Sequence, residues 1–298
     1  MAGPSWAAGA ELFRVPPAGG PVVDFSHHGV RPVCLWAGAP PSGLAVDSLA
    51  TAAAAAAGDS MEGQRPAAAA TAAAETALPP RLALSIVVPT LNEAATIGAT
   101  LRHALSVAAA PASIELLVVD GGSSDATAAA AAAAGARVLA VRGGPRAAQL
   151  NAGAAAAAGR TLLFLHADTA LPAAYDAHVA GALAGPRVAA GAFRLGINGD
   201  GFPLRLVEAA ANVRSRVLGL PYGDQAPFMR RATFLGPLGG FDAGLPFMED
   251  FALMRRARRV GRVVLAPAAV ATSARRWETL GVLRTTLMNQ AIILRAVE

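Results

Sequence analysis

Acidic and polar side chains lie at the points where short apolar segments of this chain end. Thr90 and Glu93 follow one β-branched run, Asp120 closes a second, and His166 and Asp168 follow another. Several carboxylates at one edge repel each other unless a cation or hydrogen-bond donors lie among them. Oxygen ligands of this kind suit hard divalent cations such as Mg2+ or Mn2+. The residue types therefore indicate a site for a cation and a phosphorylated ligand.

The elements predicted around these residues would gather them at one place. Short buried runs predict strands, and helical spacing between them predicts helices. The strands are expected at 84–88, 114–119, 137–141 and 161–165, and the helices at 93–109, 125–134 and 147–158. Three successive strand–helix–strand units predict an α/β fold, a mostly parallel sheet with helices on both faces. Ligands of such sheets bind at the carboxyl ends of the strands, where the polar residues stand.

The loop after the second predicted strand suits a phosphate. Gly121 and Gly122 let the backbone approach a ligand closely, and a helix opening at Ser124 offers free N–H groups to an anion. Taken singly, Asn92, Ser124 and Asp125 would also serve as ordinary helix caps. Taken together with the other strand ends, they favour a nucleotide diphosphate as the ligand.

An acidic pair later in the chain is a candidate for acid–base chemistry. Glu249 and Asp250 open a predicted helix at 251–260 and follow a glycine-rich loop at 236–244. Two acids at a helix N-terminus are also stabilising without any catalytic role, because the helix dipole favours anions there. Transfer of a group away from a diphosphate needs one base for the incoming nucleophile and a cation to neutralise the leaving group. The sequence supplies a candidate for each.

The ordered motifs resemble a known family. Residues 85–93 and 118–125 look like the opening of glycosyltransferase family 2, whose members have the GT-A fold and use nucleotide-sugar donors. Further blocks resemble a narrower branch of that family, the "transferase 2" proteins associated with radical-SAM/selenodomain neighbourhoods. Those blocks are 146–153, 163–169, 223–228, 239–241, 248–250 and 273–278.

The resemblance implies a role for each matching position. Asp168 would be the ligand of Mn2+ or Mg2+, as the last acid of the family's Asp-x-Asp signature. Asp250 would be the general base that deprotonates the acceptor hydroxyl, with Glu249 beside it. Other positions would bind the donor. Pro89, Thr90 and Glu93 would line the nucleoside pocket, and Asp120 and Arg146 would contact the base, ribose or phosphate. The acceptor and diphosphate region would be shaped by Asp224, Gln225, Arg275, Arg276 and Trp277.

Two positions depart from the family's pattern. Many members carry a second acid after the second strand, which contacts the base, and Gly121 stands there in this chain. The identity of the base is therefore open. The first acid of the Asp-x-Asp signature is His166, whose neutral imidazole could ligate a metal or orient a water, or simply pack as a polar residue.

Composition sets the remaining expectations. Residues 1–81 are rich in alanine, proline and glycine without apolar periodicity, which predicts a disordered leader before a catalytic domain at 82–298. A transit peptide and an erroneous start site are alternative explanations of this leader.

Cys34 is the only cysteine, which favours a reducing compartment, so we expect a cytoplasmic location. No run reaches about 18 apolar residues, and an amphipathic C-terminal helix at 277–297 would pack on the domain or touch an anionic membrane surface.

Two other functions compete with sugar transfer. A dinucleotide-dependent oxidoreductase would need a glycine fingerprint after the first strand, and residues 89–93 contain no glycine. A catalytically silent nucleotide-sugar-binding or scaffold protein would tolerate the incomplete Asp-x-Asp signature. The expected partners are a nucleotide-sugar donor and an acceptor that the sequence does not name, with no nucleic acid. The sequence leaves the oligomeric state open.

Overall fold

The computed structural model describes residues 82–245, 247–282 and 284–285. The predicted leader at 1–81 and most of the predicted C-terminal helix lie outside these residues, so both stay predictions. Within the described part of the chain, no helix is long and apolar enough to cross a membrane.

The first half of the sheet is parallel, as the alternation of strands and helices predicts. Its elements in chain order are β1 (Leu84–Thr90), α1 (Ile97–Val107), β2 (Ile114–Asp120), α2 (Thr127–Ala133), β3 (Arg137–Ala140), α3 (Arg146–Ala156) and β4 (Thr161–Phe164). Strand β1 lies between β2 and β4, and β3 lies outside β2. The register sets Thr90 opposite Asp120, so the polar ends of β1 and β2 are level. The predicted strand ends are therefore neighbours.

The second half of the sheet is mixed. Its elements are β5 (Thr169–Ala170), α4 (Tyr175–Ala184), β6 (Val188–Asn198), α5 (Phe202–Leu218), β7 (Phe228–Arg230), α6 (Arg231–Leu235), α7 (Glu249–Val260), β8 (Arg262–Ser273) and α8 (Arg275–Leu280). The sheet continues from β4 through β7, β6, β8 and β5. Strands β6 and β8 pair in parallel, whereas β7 runs antiparallel to both of its neighbours. Short 3-10 turns occur at Pro111–Ser113 and Gly223–Gln225.

Helices cover both faces of the sheet because the strands are apolar on both sides. Ile86 and Val88 of β1 point into a core that includes Leu101 of α1 and Val179 of α4. Val87 points the other way, into a core formed with α3 and α7. Strands buried on both faces read as continuous apolar runs, which is why the sequence revealed them without alternation. The architecture is the α/β, GT-A-type fold expected from the sequence.

Helix α3 lies unusually close to the sheet at Gly153. A Cβ atom at this position would lie 2.4 Å from Cγ1 of Val87 and 2.9 Å from Cγ2 of Val119. These are stiff β-branched side chains of the central strands, so they cannot move aside easily. The glycine fixes how closely α3, and with it Arg146 at its first turn, approaches the strand ends.

We expect Gly153→Ala to destabilise the protein by roughly 1–3 kcal/mol, because the added methyl group overpacks the contact between α3 and the sheet. The matched control is Gly181→Ala in α4, where an added Cβ meets no atom within 4 Å. That change should be neutral or stabilising by up to about 1 kcal/mol, since alanine is the better helix former. Urea unfolding of the three proteins measures both effects. Equal stabilities of the two variants would contradict the close approach.

Candidate functional site

Arg146, the first residue of α3, joins three segments at the carboxyl edge of the sheet. Its Nη1 donates to Oε1 of Glu249, the first residue of α7, at 2.8 Å. Its Nη2 donates to Nε2 of His166, in the loop after β4, at 2.5 Å. Glu249 is only 6 % exposed, so the guanidinium neutralises a buried carboxylate. Three of the predicted site residues thus form one contact network.

His166 is neutral in this network. Because Arg146 can only donate, Nε2 of His166 must accept, and the imidazole proton is on Nδ1. Burial lowers the pKa of His166 well below its usual value, and the charge of Arg146 lowers it further. The lone pair of Nε2 is used by the guanidinium, so this nitrogen is not free to ligate a metal.

Asp250 is held by backbone groups. Its Oδ1 accepts from the N–H of Phe251 at 2.7 Å, and its Oδ2 accepts from the N–H of Gly223. Among the described residues Asp250 forms no ion pair, in contrast to Glu249 beside it. The carboxylate that the resemblance assigns as base is therefore oriented without a countercharge on it.

Gly223 lies at the centre of this site, and no role was predicted for it. A Cβ atom there would lie 3.0 Å from Oδ2 of Asp250, 3.0 Å from Nε2 of His166 and 3.4 Å from Nη2 of Arg146. Any side chain would push these groups apart. Its place at the head of the 223–228 block was the only available signal.

Asp224 follows Gly223 and has a buried oxygen, Oδ1, without a hydrogen-bond partner in the described part of the chain. Burial raises the pKa of Asp224 to about 6, with Asp250 adding to the effect and the charges of Arg214 and Arg146 opposing it. Arg214 of α5 also stacks on the ring of Tyr222, with its guanidinium carbon 3.4 Å from the ring centre. Sequence reasoning missed both Arg214 and Tyr222.

The ends of β1 and β2 form a second group. Asp120 accepts at Oδ2 from the N–H groups of Gly122 and Ser123, at 3.1 and 2.9 Å, and at Oδ1 from the hydroxyls of Ser123 and Thr90. Pro89 precedes Thr90 at the end of β1 and is half-buried. Asp120 therefore shapes the glycine loop after β2, which is the loop predicted to approach a phosphate.

Asp168 belongs to a third group, with Arg275 and Glu93. Its Oδ2 accepts from Nη2 of Arg275 at 3.0 Å, and Oε2 of Glu93 lies 3.9 Å from the same nitrogen. Asp168 and Arg275 line a cavity of about 400 Å³ together with Thr96, Thr100, His103 and Ser273. The acid predicted to hold the metal thus forms an ion pair with the guanidinium of Arg275.

Two other predicted residues have structural contacts in this part of the chain. Gln225 is fully buried, and its amide is used within the protein, by Ser215 at 2.6 Å and by the carbonyl of Phe193 at 3.0 Å. Trp277 packs in a small core with Leu195 and Leu204. The side chain of Arg276 is outside the described residues.

A comparison with protein families decides the identity of the chain. The model of glycosyl transferase family 2 matches residues 85–257, which is more than half of the chain. The chain belongs to glycosyl transferase family 2. This range includes Arg146, His166, Asp168, Gly223 and Asp250, whereas the narrower branch suggested by the sequence stays a prediction. A search of curated proteins gave no match for this family 2 protein.

Solved structures share the fold of this family 2 protein. S. aureus TarS 1-349 has a TM-score of 0.53 and 20 % identity, over 66 % of this chain and 63 % of the TarS chain. The mannosyltransferase PcManGT from Pyrobaculum calidifontis, solved with GDP-Man and Mn2+, has a TM-score of 0.51 and 23 % identity, over 65 % of this chain and 57 % of its own. A further TarS 1-349 structure, with UDP-GlcNAc, has a TM-score of 0.50 and 20 % identity, over 64 % of this chain and 58 % of that one. The chain spans less than two thirds of these structures.

The fit of a divalent cation to the family 2 site depends on one carboxylate. Within the described residues, no cluster of three or more His, Cys, Asp or Glu side chains could hold a metal ion. Asp168 offers an oxygen ligand at a partly exposed position, once Arg275 leaves it. Mg2+ commonly takes only one or two carboxylates and completes its shell with substrate phosphates and water. Asp168 therefore fits a cation that a bound diphosphate would complete, whereas His166 does not.

We expect Asp224→Asn to stabilise the protein near pH 7.5 by about 1–3 kcal/mol. The native state favours the protonated carboxyl, whose pKa is about 6 against an ordinary value of 3.8. The cost of the charged form is thus complete above pH 6 and disappears as the pH falls toward 4. Thermal unfolding of the parent and Asp224→Asn at pH 4, 5.5 and 7.5 should show the difference shrinking with pH.

The matched control is Asp200→Asn, which changes an exposed carboxyl in the same way. It should give a small difference that does not follow this pH course. If Asp224→Asn behaves like Asp200→Asn, the buried carboxyl does not carry the cost assigned to it.

Proposed function

We propose that this chain transfers a sugar from a nucleotide-diphosphate sugar to an acceptor hydroxyl with inversion, and that Asp250 is the general base. The observation that carries the proposal is that the two neighbouring acids, Glu249 and Asp250, have different partners. Glu249 is committed to Arg146, whereas Asp250 is aimed by two backbone N–H groups and carries no ion pair among the described residues. Protonating Glu249 would break the ion pair that neutralises its buried carboxylate, whereas Asp250 can take a proton without that loss.

The donor side of the proposal rests on the strand ends. Thr90, Asp120 and the glycine loop after β2 are level at the carboxyl edge, where parallel sheets bind ligands. The fold relatives TarS and PcManGT were solved with UDP-GlcNAc and GDP-Man, which supports a nucleotide-sugar donor for this chain. Contact with a membrane and a cytoplasmic location stay predictions.

A divalent cation, Mn2+ or Mg2+, would neutralise the leaving diphosphate when bound at Asp168. The contribution of the chain is to hold that carboxylate at the edge and to supply Arg275 beside it. In the structure Arg275 forms an ion pair with Asp168, so cation binding requires the guanidinium to leave the carboxylate. A released arginine at this position is a ready partner for a phosphate.

One observation favours the rival function, a catalytically silent nucleotide-sugar-binding protein. His166 replaces an acid of the signature and is tied to Arg146, and Asp168 is paired with Arg275. Slow hydrolysis of a nucleotide sugar in the absence of acceptor distinguishes an enzyme from such a protein. A panel of nucleotide sugars with Mn2+, screened first by thermal shift to find those that bind, provides the substrates for that assay.

We expect Asp250→Asn to lower turnover by about 10²–10⁴-fold, the usual contribution of a general base. The amide keeps the size of the carboxylate but cannot take the proton. Donor affinity, measured by calorimetry, should change little because the donor groups lie at other strand ends. Glu249→Gln is the matched control and should reduce turnover less. A reversed order, with Asp250→Asn active and Glu249→Gln inactive, would assign the base to Glu249.

Asp168→Ala should remove the dependence of nucleoside diphosphate binding on Mn2+, since it deletes the one carboxylate that fits the cation. Calorimetric titration with UDP or GDP, with Mn2+ and with a chelator, measures this dependence. Arg275→Gln is the companion change, and it should make Mn2+ bind more readily by removing the competing guanidinium. Unchanged affinity of Asp168→Ala in the presence of Mn2+ would exclude this cation site.

A further inference from the structure

Gln149 is a largely buried residue whose side-chain amide has no assigned function. Gln149 lies in the first turn of α3, three residues after Arg146, and is 8 % exposed. No hydrogen bond joins its side-chain amide to another described residue, and neither amide atom is among the fully buried polar atoms without a partner, so the amide keeps some contact with solvent. An amide that is held on a largely buried side chain, and that keeps its donor and acceptor unused by the protein, is available to a ligand.

The position of this amide is enforced by Gly121. A Cβ atom at Gly121 would lie 2.3 Å from Nε2 and 3.3 Å from Cδ of Gln149. The backbone of Gly121 does not adopt a positive φ, so no conformational requirement accounts for the glycine. The missing side chain is instead the space that the Gln149 amide fills. Gly121 and Gln149 therefore act as a pair: the absence of a side chain at Gly121 lets the Gln149 amide reach the loop after β2.

The amide lies where a donor nucleoside would be bound. Gly121 directly follows Asp120 at the end of β2, and its N–H donates to the carbonyl of Thr90 at the end of β1 at 2.8 Å. The same hypothetical Cβ atom lies 3.3 Å from that carbonyl oxygen. The amide thus stands between the two strand ends, on the side of α3, at the edge where parallel sheets bind nucleotides.

We propose that Gln149 reads the base of the donor nucleotide. A glutamine amide offers an acceptor and a donor on one planar group. An N–H next to a carbonyl is its geometric complement, and uracil and guanine both present such an edge. The inference rests on the proposed function, because it assigns a specificity-determining residue to that donor site.

The test compares two diphosphates that contain a base with one that does not. UDP, GDP and inorganic pyrophosphate are titrated into the full chain by calorimetry, each with Mn2+. Gln149→Ala should weaken UDP or GDP binding by about 5–30-fold, the effect of one or two lost hydrogen bonds. Pyrophosphate binding should stay unchanged. Equal changes for all three ligands, or no change for any, would overturn the proposal.

Gly121→Ala provides an independent variant that leaves Gln149 in place. The added methyl group would displace the amide, so nucleotide affinity should fall as in Gln149→Ala. The double variant should be no weaker than either single variant, because both remove the same contact. Additive losses would overturn the pairing of the two residues. If the parent binds no nucleoside diphosphate at all, the proposed function fails, whereas nucleotide binding that ignores both changes refutes only the role of Gln149.

Discussion

The ion pair between Arg146 and Glu249 is the interaction on which the arrangement of the site depends. It joins the first turn of α3 to the first turn of α7, and the same guanidinium holds His166 after β4. Glu249 is almost fully buried, so without the arginine an unpaired carboxylate would remain inside the protein, which is strongly destabilising. Because Asp250 follows Glu249 directly, anchoring Glu249 also fixes where the candidate base is presented.

The glycines around this ion pair set its distances. Gly153 allows α3 to settle on Val87 and Val119, and Gly223 leaves room between Asp250, His166 and Arg146. Protein interiors are close-packed, so an added methyl at either point must move its neighbours. The site is thus positioned by two close backbone approaches and by the ion pair of one buried carboxylate.

The local elements were readable from the sequence because each is encoded by its own residues. The buried runs that became β1, β2, β3 and β4 were predicted to within two residues of their observed ends. Helix α1 begins at Ile97, four residues later than predicted, and before it the N–H groups of Asn92 and Glu93 bond to Ser123 and Thr127 across the loop. Such a contact between residues more than thirty positions apart leaves no local pattern in the sequence.

The hydrogen-bond and ion-pair partners of the acids could not be predicted from the sequence, although these partners decide what each acid can do. Arg146 and Glu249 are 103 positions apart, and Arg275 and Asp168 are 107 apart, so no spacing rule connects them. A carboxylate that carries a guanidinium has its charge already balanced, and a substrate group must displace the arginine to use it. Asp250 and Asp224 carry no such partner in the described chain, and burial raises the pKa of Asp224. Both of these acids lie next to Gly223, and Asp250 is the one that we propose as the base.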